Sequence, residues 1–347
     1  MSHINNSKTE IKWHRLDNTA NLFPVISTRN YSNIYRISIR FKKQVNPEIL
    51  QDALNQTLPR FGTFKVRLRR GFFWYYFEAN DKPCIVAEES GKPCTYFSPA
   101  QNNHYLFRVT YYRNRINLEV FHVITDGLGA TSFLTELACR YLDLVAFAEE
   151  GITPVKQPAV DVFSDLEDSY SKNFIGKNAE GYSTRRAYRL RGERMPVYMS
   201  GVIHGYIPIK QIIAHCRENE TTITQYLTSV LIWSIYSEYI KGSTHKEPIS
   251  VSIPVNLRPY FDSTSTMNFF SIIAIVIENS EEEYSFDDIV NLTKKQFDAQ
   301  LSREYFASKI AYNVAFGKNW LIRFTPLFLK NIVLKMTYLR SSKSNTI

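Results

Sequence analysis

The sequence predicts an α+β fold made of two halves, each combining strands with covering helices. Two observations support this class. Strand patterns alternate with amphipathic helix patterns up to residue 148, and they begin again after a polar segment, 149–186, that is rich in turn-forming residues. We therefore expect a first half at 1–160, a connecting segment at 161–186 and a second half at 187–347.

In the first half, the pattern predicts a sheet covered by two helices. Alternating apolar residues predict strands at 35–42, 63–69 and 71–78, and a hairpin at 105–123. Asn46 as N-cap and Pro47 in the first turn mark a helix over 46–61. A second helix is predicted over 129–148, where apolar residues repeat at helical spacing.

In the second half, strands and helices are again mixed. Strands are predicted at 187–191, 201–208, 248–255 and 268–278. Helices are predicted near 209–218 and 221–241, from Ser285, and over 326–340 after Pro326. Ser285 and Asp288 resemble a capping box, which favours a helix start at that point.

The composition is that of an ordinary globular chain with a basic surface. Hydrophobic residues make up 44% and charged residues 22%, and the net charge is +9. A basic surface favours anionic partners, but no run of five like charges marks a nucleic-acid-binding tail, so we expect no nucleic-acid partner. Aromatic residues, at 14%, suit a large apolar cavity.

Several common kinds of site are not predicted. The four cysteines, Cys84, Cys94, Cys139 and Cys216, form no CxxC pair, so we expect neither a zinc site nor a disulfide framework. Neither GxGxxG nor GxxxxGK[ST] occurs. The first residues lack the apolar core of a signal peptide, and no stretch is long and apolar enough to span a membrane. These features predict a cytoplasmic protein without a permanently bound cofactor.

The stretch FHVITDGLG, 121–129, carries the candidate chemistry. Along the preceding strand, Ile116, Leu118, Val120 and His122 share one face. His122 therefore points to the apolar side, where burial favours the neutral imidazole. A neutral imidazole has a free lone pair and can act as a general base. The alternative is a histidine that is merely packed in the core.

The residues after His122 predict a turn that leads into a helix. Asp126 lies in this loop and is expected to brace it, while Gly127 and Gly129 are expected to let the backbone turn sharply and approach a ligand. The first N–H groups of the helix have no acceptor within it. Such donors can stabilise an oxyanion that develops during a reaction.

Two stretches of the sequence resemble motifs of one protein family and occur in the same order as in that family. FHVITDG resembles the HxxxDG motif of the chloramphenicol acetyltransferase-like superfamily, which includes alcohol O-acetyltransferases, wax ester synthases and the condensation domains of nonribosomal peptide synthetases. SIPVNLRPYFDSTSTMNFFS, 252–271, is similar to the second-half segment of bacterial alcohol O-acetyltransferase-like proteins, as are stretches 60–78 and 202–208. The resemblance covers most of the chain.

The resemblance implies two chloramphenicol acetyltransferase-like halves packed in a V around a central tunnel. It implies an acyltransferase whose co-substrate, a thioester of acyl-CoA or of the phosphopantetheine of an acyl carrier protein, enters from one side. A small alcohol or amine enters from the other side. His122 would deprotonate this acceptor, and the N–H of Gly127 would stabilise the oxyanion. Asp126 would form a structural ion pair with Arg258 of VNLRP, and Asn268 would line the substrate channel, the alternative for Asn268 being a strand-end cap.

Two departures from the family pattern leave alternatives open. Phe121 stands where peptide-forming condensation domains have a histidine, which favours simple acyl transfer. The chain stops at Ile347, before the last strands that the resemblance implies for the second half. One alternative is therefore a catalytically inactive member of the fold that acts as a binding or biosynthetic helper. Another is peripheral membrane contact through the basic amphipathic helix 326–340, for which covering the second-half sheet is the favoured interpretation. The sequence does not indicate the oligomeric state.

Overall fold

The computed structural model describes residues 13–96, 98–153, 166–176, 179–182, 185–193, 195–196, 199, 201–280 and 282–346. The strands are β1 (Trp13–Arg15), β2 (Ile34–Arg40), β3 (Val66–Arg70), β4 (Tyr75–Ala79), β5 (Ala87–Glu88), β6 (Phe107–Tyr112), β7 (Arg115–Phe121), β8 (Ile249–Asn256) and β9 (Phe270–Ile277). The helices are α1 (Phe23–Ile26), α2 (Pro47–Thr57), α3 (Gly127–Glu150), α4 (Ser169–Lys172), α5 (Ile209–Glu218), α6 (Ile223–Ile235), α7 (Arg258–Phe261), α8 (Phe286–Gln300), α9 (Arg303–Lys318), α10 (Trp320–Phe324) and α11 (Leu327–Ser341).

Two compact units make up the chain. The first contains the residues up to 172 together with two later segments, 264–269 and 320–331. The second contains 173–263, 270–319 and 332–347. The first unit thus includes two segments that come from far along the sequence. The domain boundaries expected from the sequence, 1–160, 161–186 and 187–347, remain predictions.

The first unit is built on a four-stranded sheet in the order β2-β7-β6-β5. β7 pairs antiparallel with both β2 and β6, and it is buried on both faces. Ile116, Leu118 and Val120 lie in the core on the predicted face. The predicted hairpin is confirmed, with its turn at Arg113 and Asn114 between β6 and β7.

The opposite face of β7 carries Glu119, which is fully buried. Its carboxylate forms an ion pair with Arg36, whose Nη2 lies 2.6 Å from Oε1, and a second ion pair with Arg108. The backbone N–H of Cys94 donates to it at 2.8 Å. A buried carboxylate is tolerated only when such partners compensate it, so this face of the sheet is held by paired charge rather than by apolar packing.

Helices α2 and α3 cover the apolar face of this sheet. The side chain of Asn46 accepts from the backbone of Glu48 and Ile49, which confirms it as the N-cap of α2. Aromatic rings fill the layer between the helices and the sheet, where Phe64 stacks on Phe133 at 4.1 Å between centroids. Phe133 also contacts Phe107 of β6, so this packing holds α3 against the sheet.

The second unit centres on the antiparallel pair β8-β9. The other edge of β9 is occupied by glutamine side chains of α8. Gln296 both donates to and accepts from the backbone of Val276, at 2.7 and 2.8 Å, and Gln300 does the same with Ala274, at 2.9 and 3.2 Å. Two glutamines four residues apart on the helix thus reach two backbone positions that are two residues apart on the strand. The backbone N–H and C=O groups of Ala274 and Val276 are therefore hydrogen-bonded without a neighbouring strand.

Most predicted elements are confirmed, and two are wrong. The structure has no strand at 187–191 or 201–208, all of whose residues it describes. Near 187, isolated backbone bonds replace a ladder: Tyr188 donates to Pro248 and Ala187 to Lys343. In 201–208 the side chains are exposed, Ile203 at 98%. The mixed α+β class and the capping box of Ser285 and Asp288 are confirmed.

Candidate active site

His122 lies directly after the last residue of β7, within the first unit. Its imidazole is half-buried between two aromatic rings. Phe23 of α1 stacks on it at 4.5 Å between centroids, and Tyr35 of β2 lies tilted at 5.0 Å. Loss of solvation in this setting lowers the pKa of His122 below its ordinary 6.5. The ring is therefore neutral at neutral pH.

Asn268 fixes which nitrogen of His122 carries the proton. The amide nitrogen of Asn268 donates to the carbonyl oxygen of His122 and to Oδ2 of Asp17, both at 3.1 Å. These two acceptors orient the amide, so its Oδ1 faces Nδ1 of His122 at 3.1 Å. An oxygen at this distance favours a proton on Nδ1 and the lone pair on Nε2.

Asp17 completes this chain of side chains. It is fully buried, it accepts from the backbone N–H of Ala20 at 2.7 Å, and its second oxygen accepts from Asn268. Burial raises the pKa of Asp17 to about 7, against 3.8 for an exposed aspartate. The three residues Asp17, Asn268 and His122 form a hydrogen-bonded line that ends at the imidazole.

Asp126 holds the turn between β7 and α3. Its Oδ1 accepts from the backbone N–H groups of Leu128 and Gly129, at 3.2 and 3.1 Å, so Asp126 is the N-cap of α3. Its Oδ2 accepts from the backbone of Phe269 at 3.0 Å. One carboxylate therefore joins the start of the helix to segment 264–269.

Tyr35 holds the same turn from the other side. Its hydroxyl lies 3.1 Å from the carbonyl oxygen of Thr125 and 2.9 Å from that of Asp126. Burial raises the pKa of Tyr35 above its ordinary value, so the hydroxyl stays protonated and donates. Tyr35 thus contacts the imidazole with its ring and the turn with its hydroxyl.

The two glycines of the motif have different reasons to be glycine. A Cβ on Gly129 would lie well inside contact distance of Oγ1 of Thr125 and of the carbonyl oxygen of Thr266. A Cβ on Gly127 would meet nothing within 4 Å. Neither residue has a positive φ. Neither glycine is therefore required by a left-handed backbone conformation, and Gly129 is required by the close approach of segment 264–269. The expected approach of the backbone to a ligand stays a prediction.

The predicted site residues divide between the two units. His122, Asp126, Gly127 and Asn268 lie in the first unit, and Asn268 is buried with hydrogen bonds to His122 and Asp17. Arg258 lies in the second unit at the start of α7, where its backbone and Nη1 both donate to Oδ1 of Asn256, at 3.2 and 3.0 Å. The Asp126–Arg258 ion pair, the tunnel and the channel role of Asn268 stay predictions.

Sequence reasoning missed Asp17, Phe23 and Tyr35. Phe23 and Tyr35 look like ordinary apolar residues in a one-dimensional pattern. Asp17 has one local signal, because Asp-Asn before a short helix is typical of a turn, and its Oδ1 does accept from Ala20. Nothing local reveals that its other oxygen faces a residue 251 positions away.

Two negative findings hold for the residues that the structure describes. Within those residues, no three His, Cys, Asp or Glu side chains gather as a set that could hold a metal ion. Among the described helices, none has the length and apolar character needed to cross a bilayer.

Comparison with known proteins identifies the fold. No protein-family model and no curated protein matches the sequence. Among solved structures, polyketide synthase associated protein 5 from Mycobacterium tuberculosis is similar at 15% identity, with a TM-score of 0.56 over 88% of this chain and 77% of that one. The first condensation domain of the calcium-dependent antibiotic synthetase, in complex with a substrate analogue, is similar at 12% identity, with a TM-score of 0.60 over 84% and 76%.

A third similar structure is a mutant starter condensation domain of rhizomide synthetase in complex with C8-CoA. It is 11% identical, with a TM-score of 0.57 over 89% of this chain and 76% of that one. At these identities the likeness concerns the fold. The chain has the chloramphenicol acetyltransferase-like fold that these condensation domains share.

Proposed function

We propose that this protein is an acyltransferase that moves an acyl group from a thioester to a hydroxyl or amine, with His122 as general base. The observation that carries the proposal is the protonation of the His122 imidazole. Its pKa is lowered by burial, and its Nδ1 faces Oδ1 of Asn268. A half-exposed ring with an unprotonated Nε2 can accept a proton from an acceptor at neutral pH.

In the proposed reaction, the lone pair on Nε2 of His122 accepts a proton. Nε2 of His122 takes the proton of the acceptor hydroxyl or amine as its oxygen or nitrogen attacks the thioester carbonyl. The carbonyl oxygen then carries the negative charge of a tetrahedral intermediate. The intermediate collapses with cleavage of the C–S bond, and the departing thiolate takes the proton from the imidazolium. The products are an ester or amide and a free thiol, and His122 returns to its starting state.

Backbone donors at the start of α3 supply the oxyanion contact in this proposal. Gly127 is the first residue of the helix, so its N–H has no acceptor within the helix. The helix dipole adds positive potential at this end. Asp126 positions this turn through its hydrogen bonds and takes no proton. Its predicted ion pair with Arg258 would add a second support.

The choice of an acyl thioester as the acyl donor rests on the fold and on the similar structures. One similar starter condensation domain is in complex with C8-CoA, another condensation domain is in complex with a substrate analogue, and a third protein is named as polyketide synthase associated. The ligands bound in these similar structures favour an acyl thioester, either acyl-CoA or an acyl group on a carrier protein, as the donor. The substrate panel of the first assay should therefore cover both short and medium acyl-CoA chains.

The direct test is release of free thiol from acyl-CoA in the presence of alcohols and amines. We expect His122→Ala to lose roughly two to four decades of the rate. His204→Ala is a matched control, since His204 is exposed and lies outside the site. Full activity of the His122 variant would contradict the proposal.

The same assay separates the inactive-helper alternative. A helper that keeps the fold without turnover would bind CoA in calorimetry and release no thiol with any acceptor. An active enzyme would release thiol in proportion to the ester or amide formed. Mass spectrometry of the product therefore decides between transfer to the acceptor and simple hydrolysis of the thioester.

A further inference from the structure

Exposed aromatic and aliphatic side chains gather on α10, the start of α11 and the β3–β4 turn of the first unit. We call this set the apolar patch: Phe72, Phe73, Trp320, Leu321, Phe324, Phe328 and Leu329. Phe324 is 72% exposed, Phe72 71% and Trp320 67%. A soluble surface seldom leaves this many large apolar side chains together in water, and such patches mark contact sites.

Specific hydrogen bonds join the two parts of the patch. The backbone N–H of Leu327 donates to the carbonyl oxygen of Phe72 at 2.9 Å. The amine of Lys330 is buried, donates to the carbonyl oxygen of Phe73 at 3.0 Å, and lies 3.4 Å from the centre of the Trp74 ring. The β3–β4 turn is therefore fixed on the helix, and its exposed rings extend the same surface.

Helix α11 continues the patch with one exposed apolar face. At 100° per residue, six of its exposed apolar side chains fall within an arc of about 140°, while Tyr338 lies outside it. The six are Phe328, Leu329, Ile332, Val333, Met336 and Leu339. The buried residues Leu327 and Lys330 lie outside that arc. Over 327–334 the helix thus turns one side to the protein and an apolar side to solvent, whereas residues 335–340 are all exposed.

The helices that carry the patch have charges of one sign. From residue 305 to 347 the sequence has no Asp or Glu. The same stretch has seven cations: Lys309, Lys318, Arg323, Lys330, Lys335, Arg340 and Lys343. Of these, Arg323, Lys335 and Arg340 are exposed on the helices that carry the apolar residues. An apolar face flanked by cations alone complements a surface of apolar chains beneath negative charge.

We propose that the apolar patch and the exposed face of α11 dock this protein onto the surface of an anionic lipid bilayer. The aromatic and aliphatic side chains enter the boundary between headgroups and acyl chains, and the cations contact lipid phosphates. Contact of this kind needs no helix that crosses the bilayer.

The test uses vesicles and does not depend on enzymatic activity. The full chain is sedimented with vesicles of phosphatidylcholine alone or mixed with phosphatidylglycerol. We expect binding to the anionic vesicles, weakening at high salt, and at least about tenfold weaker binding to the neutral vesicles. The tryptophan emission should shift to the blue with anionic vesicles, and Trp320→Phe should reduce that shift.

Two sets of variants locate the surface. The triple variant Trp320→Ser, Phe324→Ser and Phe328→Ser should lose at least about tenfold in vesicle affinity. The matched control Leu142→Ser with Phe147→Ser removes exposed apolar side chains of α3 and should bind as the wild type does. Lys335→Glu with Arg340→Glu should abolish the preference for anionic vesicles.

Three results would overturn the proposal. The first is no binding to anionic vesicles, and the second is equal binding by the triple variant in its folded state, checked by circular dichroism. The third is a wild type that forms dimers without binding vesicles, paired with a triple variant that is monomeric. That last result would assign the patch to a second copy of the chain.

Discussion

Asn268 holds His122 at two points, on its ring and on its backbone. Oδ1 of Asn268 lies 3.1 Å from Nδ1 of the imidazole, and Nδ2 donates to the carbonyl oxygen of the same histidine at 3.1 Å. The two residues are 146 positions apart in the sequence. A side chain bound in this way fixes the tautomer of the imidazole and the direction in which Nε2 points.

Replacing Asn268 tests whether this contact positions the base. Asn268→Ala should lower kcat by roughly tenfold to a hundredfold and leave KM nearly unchanged, because the ring loses orientation while the substrate contacts remain. Nitrogen NMR of the histidine should show the proton on Nδ1 in the wild type and a mixture of tautomers in the variant. Steady-state kinetics gives the kcat and KM values.

Asn313→Ala is the matched control for Asn268→Ala, since Asn313 donates to Tyr182 in the second unit. It should change neither kcat nor the histidine spectrum. An unchanged tautomer in folded Asn268→Ala would show that Asn268 does not set the protonation of His122.

The lowered pKa of His122 predicts the pH dependence of the reaction. The base acts when neutral, and burial lowers the pKa of this group below 6.5. The acid limb of kcat/KM should therefore have its midpoint below pH 6.5, and activity should be full at neutral pH. His122→Ala should remove this limb and leave a low, flat rate. A midpoint at or above 6.5 would contradict the assignment.

The two motif glycines predict opposite effects on stability. Gly129→Ala should cost about 1–3 kcal/mol, because its Cβ would clash with Thr125 and with the carbonyl oxygen of Thr266. Gly127→Ala should not destabilise the protein, because its Cβ would meet nothing within 4 Å and alanine suits a helix better. Urea unfolding of both variants measures the difference. Equal stabilities would show that segment 264–269 does not lie against Gly129.

Much of the site could be predicted from local pattern, and the rest depends on contacts between distant residues. The parity of β7 places His122 on the apolar side, and the residue type and position of Asp126 predict its bracing role. Asp17 could not be predicted, because its partner Asn268 is 251 positions away. Alternation along a strand says which face is apolar but not which distant side chain meets it.

The two wrong strands have a similar physical cause. Apolar alternation at 187–191 and 201–208 shows that these segments could form strands, but a strand also needs a free partner edge. In the second unit, the edge of β9 away from β8 is taken by the side chains of Gln296 and Gln300. On the outer edge of β8, Ser250 exchanges hydrogen bonds with Thr346, and segment 187–191 makes a single bond just before the strand, from Tyr188 to Pro248. Glutamines four apart in a helix give no signal of this in a sequence pattern.

Removing Asp126 should destabilise the fold as well as slow the reaction. Asp126→Ala leaves the first turn of α3 without its cap and the buried N–H of Phe269 without its acceptor. We expect a loss of about 2–4 kcal/mol, from a cap of about 1 kcal/mol and an unsatisfied buried donor of about 1–3 kcal/mol. Thermal unfolding measures this, and wild-type stability in the variant would refute the bracing role.

A double-mutant cycle extends that measurement to the predicted ion pair. If Asp126 and Arg258 are paired, Arg258→Ala and Asp126→Ala together should cost less than the sum of the single changes, by about 0.5–3 kcal/mol. Strictly additive losses would reject the pair. Arg185→Ala is a suitable control partner, since Arg185 is paired with Glu278 instead.

The raised pKa of Asp17 predicts a stability that falls as pH rises. In the folded protein this carboxyl has a pKa of about 7, against 3.8 when exposed. Between those values the folded state binds a proton that the unfolded state has released, so the free energy of unfolding decreases with increasing pH across this window. From pH 5 to pH 8 the contribution lost is about 2–3 kcal/mol, at about 1.4 kcal/mol for each pH unit within the window. Asp17→Asn cannot titrate and should lack this slope, while the opposite contribution of His122 stays the same in both proteins. Urea unfolding at several pH values measures the difference between wild type and variant, and parallel curves would show that Asp17 does not titrate in this range.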